Sequence, residues 1–301
     1  MPAHNEKIEY ARRAREALSN VAPQPGVDKP DPIIVAENIK RVFGGLTAVD
    51  VERLQVQRHG ITALIGPNGA GKTTLFNLLT CFDRAQEGSW KFNATEISKL
   101  GPDKVAKIGM VRTFQLTKSL YRLSVMDNMR LAATAQRGES LFLSPFRWLW
   151  RKQEESVTAR AEELLTRFKL IDKKDDFAAA LSGGQRKLLE MARALMVNPE
   201  IVMLDEPMAG VNPALKQSLL GHIKSLRDDG MTVLFVEHDM DMVRDISDWV
   251  IVMAQGKIVA EGTPDEVMRN QAVVDAYLGA HHDSTLEGSQ DSLHSQEKEG
   301  R

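Results

Sequence analysis

The sequence predicts an α/β fold in which helices cover both faces of a parallel sheet. Three short apolar runs have the Ile, Val and Leu content of buried parallel strands: ITALI at 61–65, IVML at 201–204 and TVLFV at 232–236. Helical patterns lie between them, and the clearest repeats apolar residues at helical spacing, namely Leu188, Met191, Ala192 and Leu195. The pair Asn198-Pro199 ends that helix. Alternating strands and helices are typical of α/β domains.

The folded unit is predicted at residues 32–279, with peripheral segments at both ends. Residues 1–31 combine a weak helical pattern with a proline-containing linker, which favours a flexible, extended segment. Residues 280–301 are polar, which predicts a disordered tail. Residues 33–58 resemble short, half-buried strands of an antiparallel β layer. The charged, largely helical stretch at 116–185 predicts a helical subdomain inserted in the core.

Charge and composition exclude several classes of protein. The 301 residues include 39 basic and 41 acidic side chains, so no positive excess exists for binding nucleic acid, and we expect no such partner. The single cysteine, Cys81, excludes an intrachain disulfide framework. No apolar stretch reaches the roughly 20 residues that span a bilayer, and the charged N-terminus does not resemble a signal peptide. We expect a soluble, cytoplasmic chain that can still attach to a membrane partner.

A glycine-rich segment at 66–73 suits phosphate binding. It follows ITALI directly and fits the pattern G-x-x-x-x-G-K-[ST]. Glycines let backbone N–H groups approach phosphate oxygens, and the helix that begins near Lys72 adds its positive N-terminal end. Lys72 is expected to neutralise the β- and γ-phosphates, and the Thr73 hydroxyl to bind Mg²⁺. The predicted nucleotide-binding residues of this segment are Gly66, Pro67, Asn68, Gly69, Ala70, Gly71, Lys72, Thr73 and Thr74.

Two acidic residues that follow IVML complete the predicted site. Asp205 is suited to hold Mg²⁺ through water, and Glu206 is suited to accept a proton from an attacking water. Acidic residues often follow strands, so the pair is informative only together with the phosphate-binding segment. The combination predicts a nucleoside triphosphatase. The N-K-x-D motif of GTPases is absent from the sequence, which favours ATP.

The segment LSGGQ at 181–185 resembles the signature sequence of ATP-binding cassette (ABC) proteins. On its own, Ser182 predicts a helix N-cap, and Gly183 and Gly184 predict open amides suited to an anion. The resemblance implies a P-loop NTPase core of RecA-like type, with an antiparallel β subdomain and an inserted helical subdomain. It also implies that Ser182, Gly183, Gly184 and Gln185 bind the ATP held by a second ABC ATPase subunit in a head-to-tail dimer.

Further positions match the ABC pattern in order. Gln115 resembles the glutamine that senses the γ-phosphate, binds the metal and joins the core to the helical subdomain. His238 resembles the histidine that contacts the γ-phosphate and positions the water, so the resemblance implies catalytic roles for Glu206, His238 and Gln115. Phe43 lies where the family places an aromatic ring against adenine, with core packing as the alternative. Asn212 replaces the usual aspartate, which leaves its part in coupling the two ATP sites open.

One branch of the family shares further segments: the ATP-binding subunits of bacterial importers of branched-chain amino acids. The shared segments are AGVN (209–212), EHDM (237–240), ISD (246–248), EGTP (261–264) and AYLG (276–279), beside the long insertion in the helical subdomain. The resemblance implies an ATPase that uses ATP and Mg²⁺ and powers uptake through a separate transmembrane permease. It places the chain on the cytoplasmic face of the inner membrane, with a periplasmic solute-binding protein on the far side.

Several alternatives stay open at the level of sequence. Importers of urea or short amides share these features, and an exporter subunit, for instance for lipopolysaccharide, is not excluded. A non-transport ABC protein of translation or DNA maintenance usually joins two cassettes or carries a long coiled coil, and this sequence shows neither. The second ATPase subunit is either an identical copy or a related chain.

Overall fold

The structure, a computed structural model, describes residues 4–113, 120–133 and 147–277. Within these ranges the strands are β1 (Pro32–Phe43), β2 (Leu46–Gln57), β3 (Ile61–Ile65), β4 (Glu87–Phe92), β5 (Thr95–Glu96), β6 (Met110–Arg112), β7 (Ile201–Asp205), β8 (Thr232–Val236), β9 (Trp249–Ala254) and β10 (Lys257–Gly262). The helices are α1 (His4–Leu18), α2 (Lys72–Leu79), α3 (Pro102–Lys107), α4 (Val125–Ala132), α5 (Arg147–Arg167), α6 (Gly183–Ala194), α7 (Pro213–Asp228), α8 (Met240–Ile246) and α9 (Pro264–Met268). The predicted disordered tail lies outside the described residues.

A six-stranded sheet forms the centre of the fold, in the order β10-β9-β3-β8-β7-β6. Its strands from β9 to β6 are parallel, and β10 is antiparallel to β9. The three strands predicted from apolar runs, β3, β8 and β7, lie side by side in the middle, where nearly all of their side chains are buried. The predicted α/β fold is therefore confirmed. Strand β9 is a further buried apolar run, WVIVMA, that the sequence analysis does not identify.

A second, antiparallel sheet has the order β2-β1-β4-β5. The antiparallel layer predicted for residues 33–58 is confirmed, but its strands β1 and β2 have 12 residues each and are not short. Their pairing runs from Pro32 opposite Gln57 to Phe43 opposite Leu46. This long hairpin brings the beginning of β2, at Ala48, close to the segment that follows β3.

Two hydrophobic cores lie on opposite faces of the main sheet. Ile61, Ala63 and Ile65 of β3 pack with helices α4 to α8, and Leu64 packs in the core that is shared with the antiparallel sheet and α2. The division follows from strand geometry, because successive side chains point to opposite faces. The main sheet is therefore the middle of three layers.

Helices α4, α5 and the beginning of α6 lie in the region predicted to be a helical subdomain. Ser124 accepts a hydrogen bond from the Asp127 N–H and caps α4, and apolar residues of all three helices share one core. None of the described helices is both long and apolar enough to cross a bilayer.

The described part of residues 1–31 packs on the core, which corrects the prediction of a flexible, peripheral extension. The weak helical pattern forms α1, which lies against α7 and buries Ala11, Ala14 and Leu18. The Tyr10 ring stacks on the His59 ring, with their centroids 5.0 Å apart. The helix is ordered because one face is apolar, although its overall composition is strongly polar.

The linker after α1 is held by a buried ion pair. The Lys29 ammonium nitrogen lies 2.5 Å from a carboxylate oxygen of Glu261, and both side chains are 1% exposed. Glu261 also accepts hydrogen bonds from the Gly26 N–H and from the Trp249 Nε1–H. Burial lowers the pKa of Lys29, and the charge of Glu261 opposes that shift. Because the partners are 232 residues apart in sequence, local composition cannot reveal this contact.

We expect Lys29→Met to destabilise the fold, because it leaves the buried Glu261 carboxylate without its counter-charge. Removing one partner of a buried pair typically lowers the free energy of unfolding by about 3–5 kcal/mol. Lys40→Met is the matched control, since its pair with Glu87 is exposed and is worth less than about 1 kcal/mol. Urea unfolding measures both changes, and equal losses for the two variants would contradict the prediction.

Candidate active site

The glycine-rich segment forms a tight loop between β3 and α2, and two of its positions have no room for a side chain. Gly66 and Gly71 have φ values of +147° and +94°, which L-residues rarely adopt. A methyl group on Gly66 would collide with the Met253 carbonyl oxygen, and one on Gly71 with the carbonyl oxygen of Ala48. The loop backbone therefore lies directly against β9 and β2.

The remaining loop residues fall into an exposed outer turn and a supported inner part. Asn68 and Gly69 are exposed, Pro67 is half-buried, and Ala70 is buried. The Ala70 carbonyl oxygen accepts a hydrogen bond of 3.1 Å from the Gly256 N–H, which ties the loop to the β9–β10 turn. Helix α2 begins at Lys72 as predicted, and its first turn carries Thr73, which is exposed, and Thr74, which is half-buried. Unpaired first-turn N–H groups of such a helix suit an anion.

The Lys72 side chain folds back over the loop. Its ammonium nitrogen donates to the carbonyl oxygens of Gly66 and Pro67, both at 2.8 Å. Burial lowers the pKa of Lys72, and the charges of Glu206 and Asp205 act in the opposite direction. The ammonium group is thus held near the loop mouth by weak neutral acceptors, which phosphate oxygens can replace.

Asp205 and Glu206 share a cavity with the beginning of α2. Asp205 is the last residue of β7, and Glu206 follows with an exposed side chain. Glu206 has a φ of +45°, and its N–H donates to the Val236 carbonyl oxygen at 3.1 Å. A non-glycine residue in this region stores roughly 1–3 kcal/mol of strain, which is frequent at functional sites. Both carboxylates and Thr73 line one cavity of about 260 Å³.

Arg112 is a site residue that the sequence analysis misses. Its guanidinium group lies 2.5 Å from a carboxylate oxygen of Asp205 and also donates to the Asn77 side chain in α2. The Arg112 side chain is 7% exposed and that of Asp205 is 26% exposed, so the pair is partly buried. The sequence signal that could have identified Arg112 is its position as a basic residue at the end of a short strand, shortly before Gln115. Gln115 itself lies outside the described residues.

The oxygen donors around the cavity fit a Mg²⁺ ion that is shared with phosphates. The Thr73 hydroxyl and the Asp205 carboxylate are hard oxygen ligands of the kind that Mg²⁺ takes. Among the described residues, no group of three or more His, Cys, Asp or Glu side chains is arranged to hold a metal. Proteins usually bind Mg²⁺ through one or two carboxylates plus substrate phosphates, so the donor set here matches that pattern.

The predicted signature segment caps α6 and is only partly open. Ser182 and Gln185 form a reciprocal capping box, in which Ser182 Oγ accepts from the Gln185 N–H at 3.3 Å and Gln185 Oε1 accepts from the Ser182 N–H at 2.9 Å. The predicted N-cap is therefore confirmed. Gly183 is exposed, but Gly184 is buried, and a methyl group there would collide with Leu215 of α7. Gly184 thus permits α6 to pack closely against α7. The prediction of an open amide at this position did not foresee that packing role.

His238 and Phe43 are both accessible. His238 follows β8, and its side chain is 69% exposed. Phe43 ends β1 and is 46% exposed, with the Arg41 guanidinium group 4.3 Å from its ring centre. Core packing, the alternative for Phe43, is therefore wrong. The ring lies on the hairpin whose second strand carries Ala48, the residue in contact with Gly71.

Asn212, where the resemblance gives aspartate, caps α7. Its side-chain oxygen accepts a hydrogen bond of 2.9 Å from the Leu215 N–H, and Pro213 occupies the first helical position. Asn and Asp are about equally good N-caps, so this local role survives the loss of charge.

Comparison with known proteins agrees with the geometry. The sequence model described as ABC transporter matches residues 50–209, and the model described as branched-chain amino acid ATP-binding cassette transporter matches residues 257–283. LivG of Archaeoglobus fulgidus, named as a probable branched-chain amino acid transport ATP-binding protein, is 40% identical over 256 residues, which cover 85% of this chain and 98% of that protein. BraF of Pseudomonas aeruginosa, a high-affinity branched-chain amino acid transport ATP-binding protein, is 37% identical over 82% of this chain and 98% of its own.

Solved structures of ATP-binding cassettes resemble the fold. A nucleotide-free cassette from an ABC transporter superposes with a TM-score of 0.72 and 38% identity, over 82% of this chain and 98% of that chain. A cassette in its ADP conformation gives a TM-score of 0.73 at 38% identity, over 82% and 99% of the two chains.

Gly71→Ala should weaken ATP binding by about 10- to 100-fold, since strain of roughly 1–3 kcal/mol would displace the loop. Gly230→Ala is the matched control: φ is +84°, and the nearest atoms are those of the flexible Lys7 side chain, at 3.5 Å or more. The control variant should lose stability and keep its ATP affinity. Calorimetric titration with Mg-ATP measures both affinities, and wild-type binding by Gly71→Ala would contradict the packing argument.

Proposed function

The chain belongs to the ABC transporter family, and on this premise we propose that it is the ATP-hydrolysing subunit of an importer of branched-chain amino acids. The chain is an ABC ATPase. The observation that supports ATP hydrolysis at this site is that Thr73, Asp205 and Glu206 line the same cavity. The substrate is supported by relatives named for branched-chain amino acid transport that match over nearly their whole length, and by the second family match at residues 257–283.

In the proposed reaction, each side chain acts on one part of the substrate. The Lys72 ammonium group exchanges the carbonyl oxygens of Gly66 and Pro67 for the β- and γ-phosphates. Glu206 accepts the proton of the attacking water. His238 contacts the γ-phosphate, Phe43 stacks on adenine, and Gln115 senses the γ-phosphate.

Mg²⁺ is proposed to bind at Thr73 and Asp205, with Gln115 as a further ligand, and it supplies positive charge against the phosphate oxygens. Asp205 is already oriented by Arg112, which fixes the carboxylate at the end of β7. Loss of this pair would leave a partly buried carboxylate without its partner.

The proposed active unit is a dimer of ATPase subunits. Ser182 and Gly183 are exposed, and neither is among the described residues that line the cavity. This placement supports the idea that Ser182, Gly183, Gly184 and Gln185 serve the ATP of a second subunit. A helix N-terminus that is exposed in one chain can then close over the γ-phosphate in the other.

Transport requires partners that this chain does not supply within its described residues, where no helix can cross a bilayer. We propose that a separate permease carries the substrate across the inner membrane and that the chain binds it at the cytoplasmic face. A periplasmic solute-binding protein would deliver the amino acid to that permease.

Glu206→Gln should reduce steady-state hydrolysis by about 10²–10⁴-fold, because the proton acceptor is lost while the binding groups remain. The same variant should accumulate an ATP-bound dimer, which light scattering after gel filtration detects. Glu163→Gln, an exposed carboxylate on α5, is the control and should behave as the wild type. Hydrolysis by Glu206→Gln near the wild-type rate would exclude the assignment of Glu206 as the base.

The transport function is tested by purifying the tagged chain with its membrane complex and reconstituting that complex in liposomes. Binding protein loaded with leucine, isoleucine or valine should stimulate ATP hydrolysis and drive uptake of the labelled amino acid. Stimulation by urea or acetamide alone would assign the chain to an amide importer. Copurification with ribosomes and no permease would reject transport altogether.

A further inference from the structure

Glu237 is a buried carboxylate that the proposed reaction does not use. It follows β8 directly and precedes His238, yet its side chain is 1% exposed while that of His238 is 69% exposed. Removing a carboxylate from water is unfavourable unless its oxygens accept hydrogen bonds. The groups that donate hydrogen bonds to the Glu237 oxygens therefore indicate why a carboxylate is buried at this position.

The two oxygens of Glu237 bind two different segments of the site. Oε1 accepts a hydrogen bond of 3.0 Å from the Met208 N–H, two residues after Glu206. Oε2 accepts from the His238 N–H at 3.3 Å and lies 3.7 Å from His238 Nδ1. One side chain thus connects the turn after the proposed base with the segment that carries the proposed γ-phosphate histidine.

A second contact joins α7, the helix that follows this turn, to the segment that carries His238. Lys216, in the first turns of α7, donates to Asp239 at 2.9 Å, and Asp239 accepts from the Met242 N–H and caps α8. Lys216 lowers the pKa of Asp239, and the pKa of Lys216 is raised by Asp239 first and by Glu237 in smaller part. The segment that begins at Glu237 is therefore held both to the turn that ends at Asn212 and to the first turns of α7.

We propose that Glu237 is a positioning residue that fixes the turn around Met208 relative to His238, so that both sides of the γ-phosphate pocket move together when the dimer closes. This inference rests on the proposed ATPase function. Asn212, at the end of this turn, carries no charge where the resemblance gives aspartate. The Glu237 carboxylate contacts the same turn at the Met208 N–H. A glutamine cannot replace it, because its single oxygen accepts from only one segment and its NH₂ group faces the other N–H.

The test uses Glu237→Gln alone and in the Glu206→Gln background, with Glu261→Gln as matched control. Glu261 is equally buried, at 1% exposure, but binds Lys29, Gly26 and Trp249 away from the cavity. We expect Glu237→Gln to lower kcat about 10-fold or more with KM for ATP changed less than about threefold, as loss of a hydrogen bond to a charged group implies. In the Glu206→Gln background, the dimer dissociation constant with ATP should rise by about the same factor. Glu261→Gln should shift the unfolding midpoint and leave both quantities unchanged.

Unchanged kcat and unchanged ATP-driven dimerisation in Glu237→Gln would overturn the inference and leave the proposed function intact. Failure of the parent Glu206→Gln protein to dimerise with ATP would instead overturn the proposed function, and the inference with it. If Glu237→Gln does not fold, Glu237→Asp keeps both oxygens on a shorter side chain and should fold. Its loss of kcat should then be non-additive with that of His238→Ala, and strict additivity would reject coupling between the two residues.

Discussion

The site depends on the close approach of the phosphate loop to two carbonyl oxygens, one from each sheet. Gly71 lies against Ala48 in the antiparallel sheet, and Gly66 lies against Met253 in the main sheet. The Gly256 turn completes the contact, since its carbonyl oxygen accepts from the Asp50 N–H and its N–H donates to Ala70. The loop is therefore fixed between the two sheets by contacts within the chain. Such preorganisation reduces the free energy that ATP binding must spend on ordering the loop.

The charges of the site are arranged by strand order. Parallel strands β6, β7 and β8 are neighbours, so their carboxyl ends meet at one edge of the sheet. Arg112 ends β6, Asp205 ends β7, and Glu237 follows β8. One cation, Arg112, therefore lies beside the carboxylate of Asp205, a second carboxylate follows β8, and Lys72 approaches from α2. The edge can accept a highly charged substrate because its own charges are already oriented by partners.

Local signals in the sequence were sufficient for most of the core and for the loop. The runs at β3, β7 and β8 are buried because they are short and apolar, and Ser182 caps α6 because Gln185 lies three residues later. Contacts between distant segments were not predictable. The composition of the linker around Lys29 predicts a polar, extended segment, because the contact with the distant Glu261 is not visible in the local sequence. Arg112 lies next to Asp205 only because β6 pairs with β7. The exposure of Phe43 likewise depends on the length of the β1–β2 hairpin, which the residue pattern at 33–58 did not predict.

Glu237 and Glu261 show why burial alone does not define a carboxylate's role. Both are 1% exposed; Glu237 directly follows β8, and Glu261 is the last residue but one of β10. Glu261 has a counter-charge at 2.5 Å and holds a linker far along the chain, so its geometry does not depend on the site. The hydrogen bonds that Glu237 accepts come from backbone N–H groups of Met208 and His238, in the two segments that carry the proposed base and the proposed γ-phosphate histidine. Its orientation must therefore follow any movement of those two segments, and that dependence is what separates a positioning group from a structural one.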